Sequence, residues 1–225
     1  MTKQIGIIGA GKLGVVLAQI ALKAGYQVDI AGSGSPEKIA LTMMVLAPGA
    51  EPMTSAEVLA NNDVIILALP LSKFKQLGAS SLAGKLVLDA MNYWWEVDGK
   101  RDDFNDPQIG TSELVQNYFK DSQVVKAFNH MGYHDLLDES IIFKPQCEQP
   151  KALALAGDNK QAVLQVQQIV TDFGFTPLVL KNLHEGLKLQ PGINTFGANL
   201  HLQALQEAID NYTDTTFGQQ IAQLN

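Results

Sequence analysis

Residues 4–14 read QIGIIGAGKLG. An apolar run with the character of a buried strand ends in a glycine turn, and helical spacing then runs through LGVVLAQIALKAG to a stop at Gly25. Gly9, Gly11 and Gly14 set the spacing G-x-G-x-x-G. That pattern alone is weak, but here it closes a strand, opens a helix and leads to a second strand, YQVDIA, the context in which it marks a dinucleotide site. Each glycine has its own reason. Gly9 permits the tight turn, Gly11 admits a pyrophosphate to the backbone, and Gly14 lets helix and strand pack closely. The helix start then offers free N–H groups and a partial positive charge to the phosphates.

Outward from that turn, strand and helix patterns alternate. SPEKIALTMMVLAPG is helical, with Ser35 as its cap and Pro36 at its first helical position. Thr54 and Glu57 form a capping box for TSAEVLANN. DVIILALP, ending at Pro70, and KLVLDAMN, ending at Asn92, are apolar strands of the kind buried on both faces in a parallel sheet. The stretch 93–110, YWWEVDGKRDDFNDPQIG, has no period and reads as a long functional loop. TSELVQNYFKD reads as a helix and QVVKAFN as a strand. KALALAGDNKQAVLQVQQIVTDFGFTPLVL then reads strand, helix, strand, with Asp158 at the helix start, and a helical tail interrupted by QPGINTFG follows. The fold class is α/β: a doubly wound Rossmann-type sheet, mostly parallel, with a small C-terminal αβ portion. Residues 1–150 are expected to form the dinucleotide-binding domain and 151–225 a smaller subdomain closing the acceptor side.

Composition narrows the function classes. A chain of 225 residues, 46% hydrophobic and 17% charged, has the means for a real core. The net charge of −7 argues against general nucleic-acid binding, which needs a basic surface. No apolar run has the length of a membrane span. MTKQIGIIGAGKLG lacks the apolar core of a signal peptide, so the cytoplasm is the expected compartment. A single cysteine, Cys147, excludes an internal disulfide framework and a cysteine-built zinc cluster; it reads as a loop thiol.

After the second strand, where an acid commonly grips the adenosine ribose, the chain reads GSGSPEK. Asp29 lies too early, within the strand. Without an acid at the tip, Ser33, Ser35 and the amides of the following helix can donate to a 2′-phosphate, and Lys38 can reach back from one turn in. The expected cofactor is therefore NADP(H) rather than NAD(H). The one arginine, Arg101, lies elsewhere, so the grip would come from lysine as a point charge. The plainer reading is that Ser33 and Ser35 only end the strand and cap the helix.

Several stretches together resemble the F-420-dependent NADP reductases and related dinucleotide-binding NADP oxidoreductases. They are IGIIGAGKLG, GSGSPEK, LALP, LVLDAMNYW, VVKAFNHMG, LALAGDN and the GF-TPL pair, in family order between Lys3 and Leu200. The resemblance implies that the backbone of Ala10, Lys12 and Leu13 holds the pyrophosphate. It places the 2′-phosphate on Ser33, Gly34, Ser35 and Lys38, although the family's usual arginine beside the serine is replaced by Gly34 and Ser35. The nicotinamide would lie along Leu69 and Pro70, near Asn92 and the turn of Asn129, His130, Met131 and Gly132. The implied reaction is hydride transfer to a second planar carrier, a flavin, a deazaflavin such as F-420 or a quinone-like ring, which needs alignment and exclusion of water more than a strong acid or base.

The acceptor side has its own candidates. Tyr93, Trp94 and Trp95 could stack on such a ring, or anchor the loop or a subunit contact. Asp98, Asp102, Asp103 and Asp106 read as solvated surface that would repel a strongly anionic substrate. His130 is the one catalytic candidate, as a hydrogen-bond donor to the carboxamide or acceptor. His130 and His134 have metal-like spacing, but Gly132 lies between them and no third ligand is evident, so no metal is expected. His184 and His201 have no partner that spacing identifies. Asn194, Thr195 and Phe196 either line the acceptor pocket or form a homodimer contact. Two other readings remain open: a reductase of a small carbonyl or imine, and a dinucleotide-binding sensor without turnover.

Overall fold

The computed structural model describes residues 3–146 and 149–224; Cys147 lies outside them. The N-terminal half alternates β1 (Gln4–Ile8), α1 (Lys12–Lys23), β2 (Gln27–Ala31), α2 (Glu37–Leu46), β3 (Ala50–Pro52), α3 (Ser55–Asn61) and β4 (Val64–Leu67). The order continues with β5 (Leu86–Asp89), α4 (Trp95–Asp98), α5 (Thr111–Tyr118), β6 (Gln123–Lys126) and α6 (Tyr133–Glu139). It ends with β7 (Ala152–Gly157), α7 (Lys160–Asp172), β8 (Thr176–Val179), α8 (Leu202–Asp210) and α9 (Thr216–Leu224). The strands form one eight-stranded sheet in the order β3-β2-β1-β4-β5-β6-β7-β8. The strand pairs are parallel except β6 with β7, which run antiparallel through Val125↔Gly157 and Lys126↔Ala156. This is the doubly wound α/β fold expected from the alternation. The order reverses between β1 and β4, and in open sheets of this kind ligands sit at that switch, outside the carboxyl ends of the strands.

Both sheet faces are covered, which explains the unbroken apolar strands. Ile5, Ile7, Ile66, Leu88 and Val125 pack with α1 and α7 on one face. Ile8, Ile65, Leu67, Val87 and Val124 pack with Val58 of α3 and Val115 of α5 on the other. Each fully buried side chain of this size contributes roughly 2 kcal/mol through removal from water. Asp29 is buried in β2 and accepts hydrogen bonds from Asn62 at 2.7 Å and Gln4 at 3.3 Å, so its carboxylate is committed within the fold. Residues 151–224 extend the same sheet by β7 and β8. Ala152, Ala154 and Ala156 pack against Leu180, Leu189 and Leu205, a small core of their own on one face.

Several local expectations change. Edge strand β3 went unseen because it has three residues, one of them proline, too few for a period. Helix α2 starts at Glu37 with Pro36 in the cap position, and the Ser35 carbonyl accepts the Lys38 N–H instead of a side chain capping the turn. Asn159, not Asp158, caps α7 by accepting from Gln161 and Ala162; Asp158 accepts the Leu183 N–H and ties the chain after β8 back to the end of β7. The Thr54–Glu57 capping box is present. Among the described residues no helix is long and apolar enough to cross a membrane.

Candidate functional site

The glycine turn shows three distinct environments. Gly9 has φ +119°, and a Cβ there would lie 2.3 Å from the Ala68 carbonyl oxygen, so the end of β4 runs directly against the turn. A Cβ on Gly14 would lie 1.7 Å from the Gly9 carbonyl oxygen, which is the close helix–strand contact this position serves. At Gly11 a Cβ would meet nothing within 4 Å. The open space therefore lies at Gly11, the position the motif leaves free for a phosphate, and the two flanking glycines are required by the protein itself. Gly11 is also the cap residue of α1, with no side-chain cap and no acid in the first turn. The first amides are left to an incoming anion.

The segment after β2 forms the neighbouring wall. Ser33, Gly34, Ser35 and Lys38 are all exposed. Gly34 has φ +108°, and a Cβ there would lie 3.1 Å from the Lys38 Nζ, so the lysine folds back over the turn as a phosphate grip requires. One feature opposes this. The Ser35 hydroxyl lies beside the exposed Glu37 carboxylate and holds it below its ordinary value.

A cleft of about 560 Å³ runs from the glycine turn along the strand ends. Residues 11–13, 68–70 and 90–92 line it, with Trp94, Glu96, Val97, Asp98 and Tyr133 at its outer side. Leu69, Pro70 and Asn92 are thus brought together with Lys12 and Leu13 as the sequence suggested. The Lys12 ammonium lies 5.5 Å from the centre of the Tyr133 ring.

Asn129 and His130 stand behind this wall. The amide of Asn92 donates to the Asn129 carbonyl at 2.8 Å, and the amide of Asn129 donates to the Met91 carbonyl at 2.7 Å. This reciprocal clamp ties the ends of β5 and β6 and leaves both side-chain oxygens buried without a partner. Phe128, the one positive-φ residue other than glycine among those described, carries the strained turn at φ 65°. His130 is 1% exposed and its Nε2 accepts the Ala154 N–H at 2.9 Å. Its Nδ1 edge faces the Thr195 backbone without a well-formed hydrogen bond. Burial lowers its pKa to about 4, so the ring is neutral at physiological pH. It does not line the cleft and binds β7 to the C-terminal segment.

Beneath the cleft lies a cluster that sequence reasoning missed. Asp89 and Lys126 are register partners on β5 and β6, and both are fully buried. Asp89 Oδ1 accepts the Met91 N–H at 2.9 Å and so braces the 90–92 wall. The Ser112 hydroxyl donates to Asp89 Oδ2 at 2.6 Å, while Lys126 Nζ donates to Ser112 and Thr111, each at 3.3 Å. Burial raises the Asp89 carboxyl and lowers the Lys126 ammonium, against the pull of each on the other. The available signal was the pair DAMN and VVKAFN, which places one charge in each of two otherwise apolar strands.

The 93–110 loop is more ordered than its sequence suggests. It contains α4 and a 3-10 turn at Asp102–Phe104. Tyr93 is an anchor: its hydroxyl donates to the Gly99 carbonyl, accepts the Arg101 N–H, and its ring packs edge-on against Phe104. Asp98 is not merely solvated. It accepts the Ser72 N–H at 2.8 Å and the Trp94 N–H at 3.0 Å, pinning the loop to the cleft rim. Trp94 meets Phe196 edge-on at 5.4 Å, which joins the loop to the 190–200 segment. Trp95 is 59% exposed. Asn194 turns away, toward the Asn211 carbonyl, and Thr195 is buried against the Lys188 carbonyl. His184 pairs with Glu113 at 3.0 Å and His201 meets the Pro150 carbonyl at 3.2 Å, partners that spacing could not reveal.

Residues 4–93 match the family described as NADP oxidoreductase, coenzyme F-420-dependent. That span contains the glycine turn, the GSGSPEK wall and the strand ends at 68–70 and 90–92, so the resemblance seen in the sequence is shown there. The chain is similar to a hypothetical protein from Sinorhizobium meliloti, with 26% identity, a TM-score of 0.78, and coverage of 90% of this chain and 96% of that one. It is also similar to a candidate F-420-dependent NADP reductase from Arthrobacter sp. FB24, at 18% identity and TM-score 0.69, covering 83% and 88% of the two chains. A reductive aminase from Aspergillus terreus, solved with NADPH4, cyclohexanone and allyl amine, shares the fold at 16% identity and TM-score 0.58, over 81% of this chain and 56% of that one. No curated protein matches the chain.

Proposed function

We propose that this protein is an NADP(H)-dependent oxidoreductase that exchanges hydride with a planar flavin-, deazaflavin- or quinone-like acceptor. The observation that carries the reading is the continuity of the site. Open space at Gly11, a lysine folded over Gly34 on the turn that adjoins Ala10, and a cleft leading from Gly11 to Asn92 suit the two charged parts and the ring of a dinucleotide. When bound, NADPH supplies a hydride and is oxidised, and the acceptor takes that hydride and a proton from water. The chain's residues bind and align. The amides at the α1 start and Lys12 face the pyrophosphate, and Ser33, Ser35 and Lys38 serve the 2′-phosphate. Leu69, Pro70 and Met91 keep the reduced ring in an apolar wall, and Asn92 holds the end of that wall in place through its bond to the Asn129 carbonyl. Excluding water and fixing the approach supply the rate in such a site. The 151–225 portion closes the acceptor side through Phe196.

A second reading, reduction of a small carbonyl or imine, is favoured by one observation: Tyr133 is the phenol of the cleft and Lys12 lies over its ring. That chemistry needs a proton donor, whereas transfer to a flavin-like ring does not. NADPH oxidation by Tyr133→Phe tests the choice. Dye or flavin reduction within twofold of wild type supports the proposed function, and a loss of a hundredfold or more with cyclic imines or ketones as the only turned-over substrates contradicts it.

A further inference from the structure

Next to the cleft, and sharing Trp94 and Glu96 with it, lies a second hollow of about 380 Å³. Its size is that of a small aromatic ligand. Trp94 and Trp95, the chain's two tryptophans, form one wall, 46% and 59% exposed, and Pro191 of the C-terminal segment also lines it. Indoles left this open offer flat apolar faces that an aromatic ring can cover.

Acids outnumber bases around it: Glu96 and Asp102 line it with Lys100 and Arg101, and Asp103 pairs with Arg101 at its edge. The 93–110 segment carries Glu96, Asp98, Asp102, Asp103 and Asp106 against Lys100 and Arg101, a difference of 5 − 2 = 3 negative charges. Arg101 is not available to a ligand: it makes a two-pronged pair with Asp103 at 2.8 and 2.9 Å and lies 4.4 Å over the Phe104 ring. Lys100 is then the remaining cation of the lining, against Glu96 and Asp102. We infer that this hollow takes an uncharged planar aromatic acceptor, and that its acidic rim discriminates against carriers with phosphate or carboxylate tails. The inference rests on the proposed hydride transfer and names its substrate class. Exposed charges of this kind act over about a Debye length, so the discrimination weakens as salt is added.

The test follows quenching of the two tryptophans in the intact protein, with free indole as the control for collisional quenching. Riboflavin and FMN share a ring and differ by one phosphate, and menadione separates a quinone from a flavin. Riboflavin or menadione is expected to bind at least fivefold more tightly than FMN at low salt, with the gap shrinking in high salt and in the Glu96→Gln/Asp102→Asn variant. Whichever of riboflavin and menadione binds more tightly identifies the ring type. FMN binding as tightly as riboflavin overturns the inference while leaving NADPH oxidation, measured in parallel, to stand. Quenching by neither ring beyond the indole control overturns it as well. Riboflavin selectivity in a protein that does not bind NADPH supports the hollow and breaks the proposed function instead.

Discussion

The glycine turn and the Asp89–Lys126 cluster serve the same cleft by opposite means. The turn works through side chains it lacks: Gly9 and Gly14 have no room for a Cβ, and Gly11 leaves open space where a ligand must come. The cluster works through side chains it has, two buried charges and the Ser112 hydroxyl between them, which brace the 90–92 wall from beneath. One is open to solvent and prepared for an anion; the other is closed, and its polar atoms are satisfied by the protein. A binding surface can be shaped by omission, but its rigidity has to be supplied from behind.

If that contrast is right, damage to the two regions should differ in kind. The largest effect is expected at the cluster. Lys126→Met leaves Asp89 buried without its counter-charge and should cost about 3–5 kcal/mol in urea unfolding; a change below 1 kcal/mol would mean the pair braces nothing. His130 is also buried. Its folded pKa of about 4 lies below the roughly 6.5 of an unfolded histidine, so between those values the unfolded chain binds more protons and stability falls as pH falls. About 3 kcal/mol should be lost across that window, and His130→Gln, which keeps an acceptor for Ala154, should flatten the slope. A variant with the wild-type slope would show that other groups govern it.

On the open side, Gly11→Val should lose NADPH and NADH alike by about a hundredfold, roughly 2.8 kcal/mol, with thermal stability unchanged. Retained binding would place the phosphates elsewhere. The smallest effects concern the 2′-phosphate. Ser33→Asp should weaken NADPH about tenfold and leave NADH within twofold, whereas equal loss of both would mean that no phosphate is read there. Glu37→Ala removes the carboxylate beside Ser35 and should improve NADPH binding by about twofold; a loss would show that the acid orients the serine productively.

The same contrast explains what the sequence revealed. Gly9, Gly11 and Gly14 are legible because omission leaves a spacing that few other structures require, and the apolar runs of β1, β4 and β5 announce a sheet covered on both faces. Leu69, Pro70 and Asn92 came from the family resemblance, and their places at strand ends agree with where ligands sit in such sheets. His130 looked like a donor to the nicotinamide because its position along the chain is right, yet the strained turn at Phe128 and the antiparallel approach of β7 turn its ring into the core. Asp89 and Lys126 were visible as letters, but a charge in an apolar strand has no stated partner until the register sets Asp89 opposite Lys126. Tyr93 and Asp98 were unreadable for a related reason: an aperiodic loop does not say which side chains hold it and which it displays.

The central claim is that GSGSPEK is a 2′-phosphate cradle at the mouth of this cleft. Trp94 lines the cleft and Trp95 adjoins it, so energy transfer from them to a bound reduced nicotinamide reports occupancy directly. Paired titrations with NADPH and NADH at one low salt concentration should show NADPH binding at least tenfold more tightly, about 1.4 kcal/mol. Equal affinities, or a preference for NADH, would contradict the cradle and with it the assignment of NADP(H) as the cofactor.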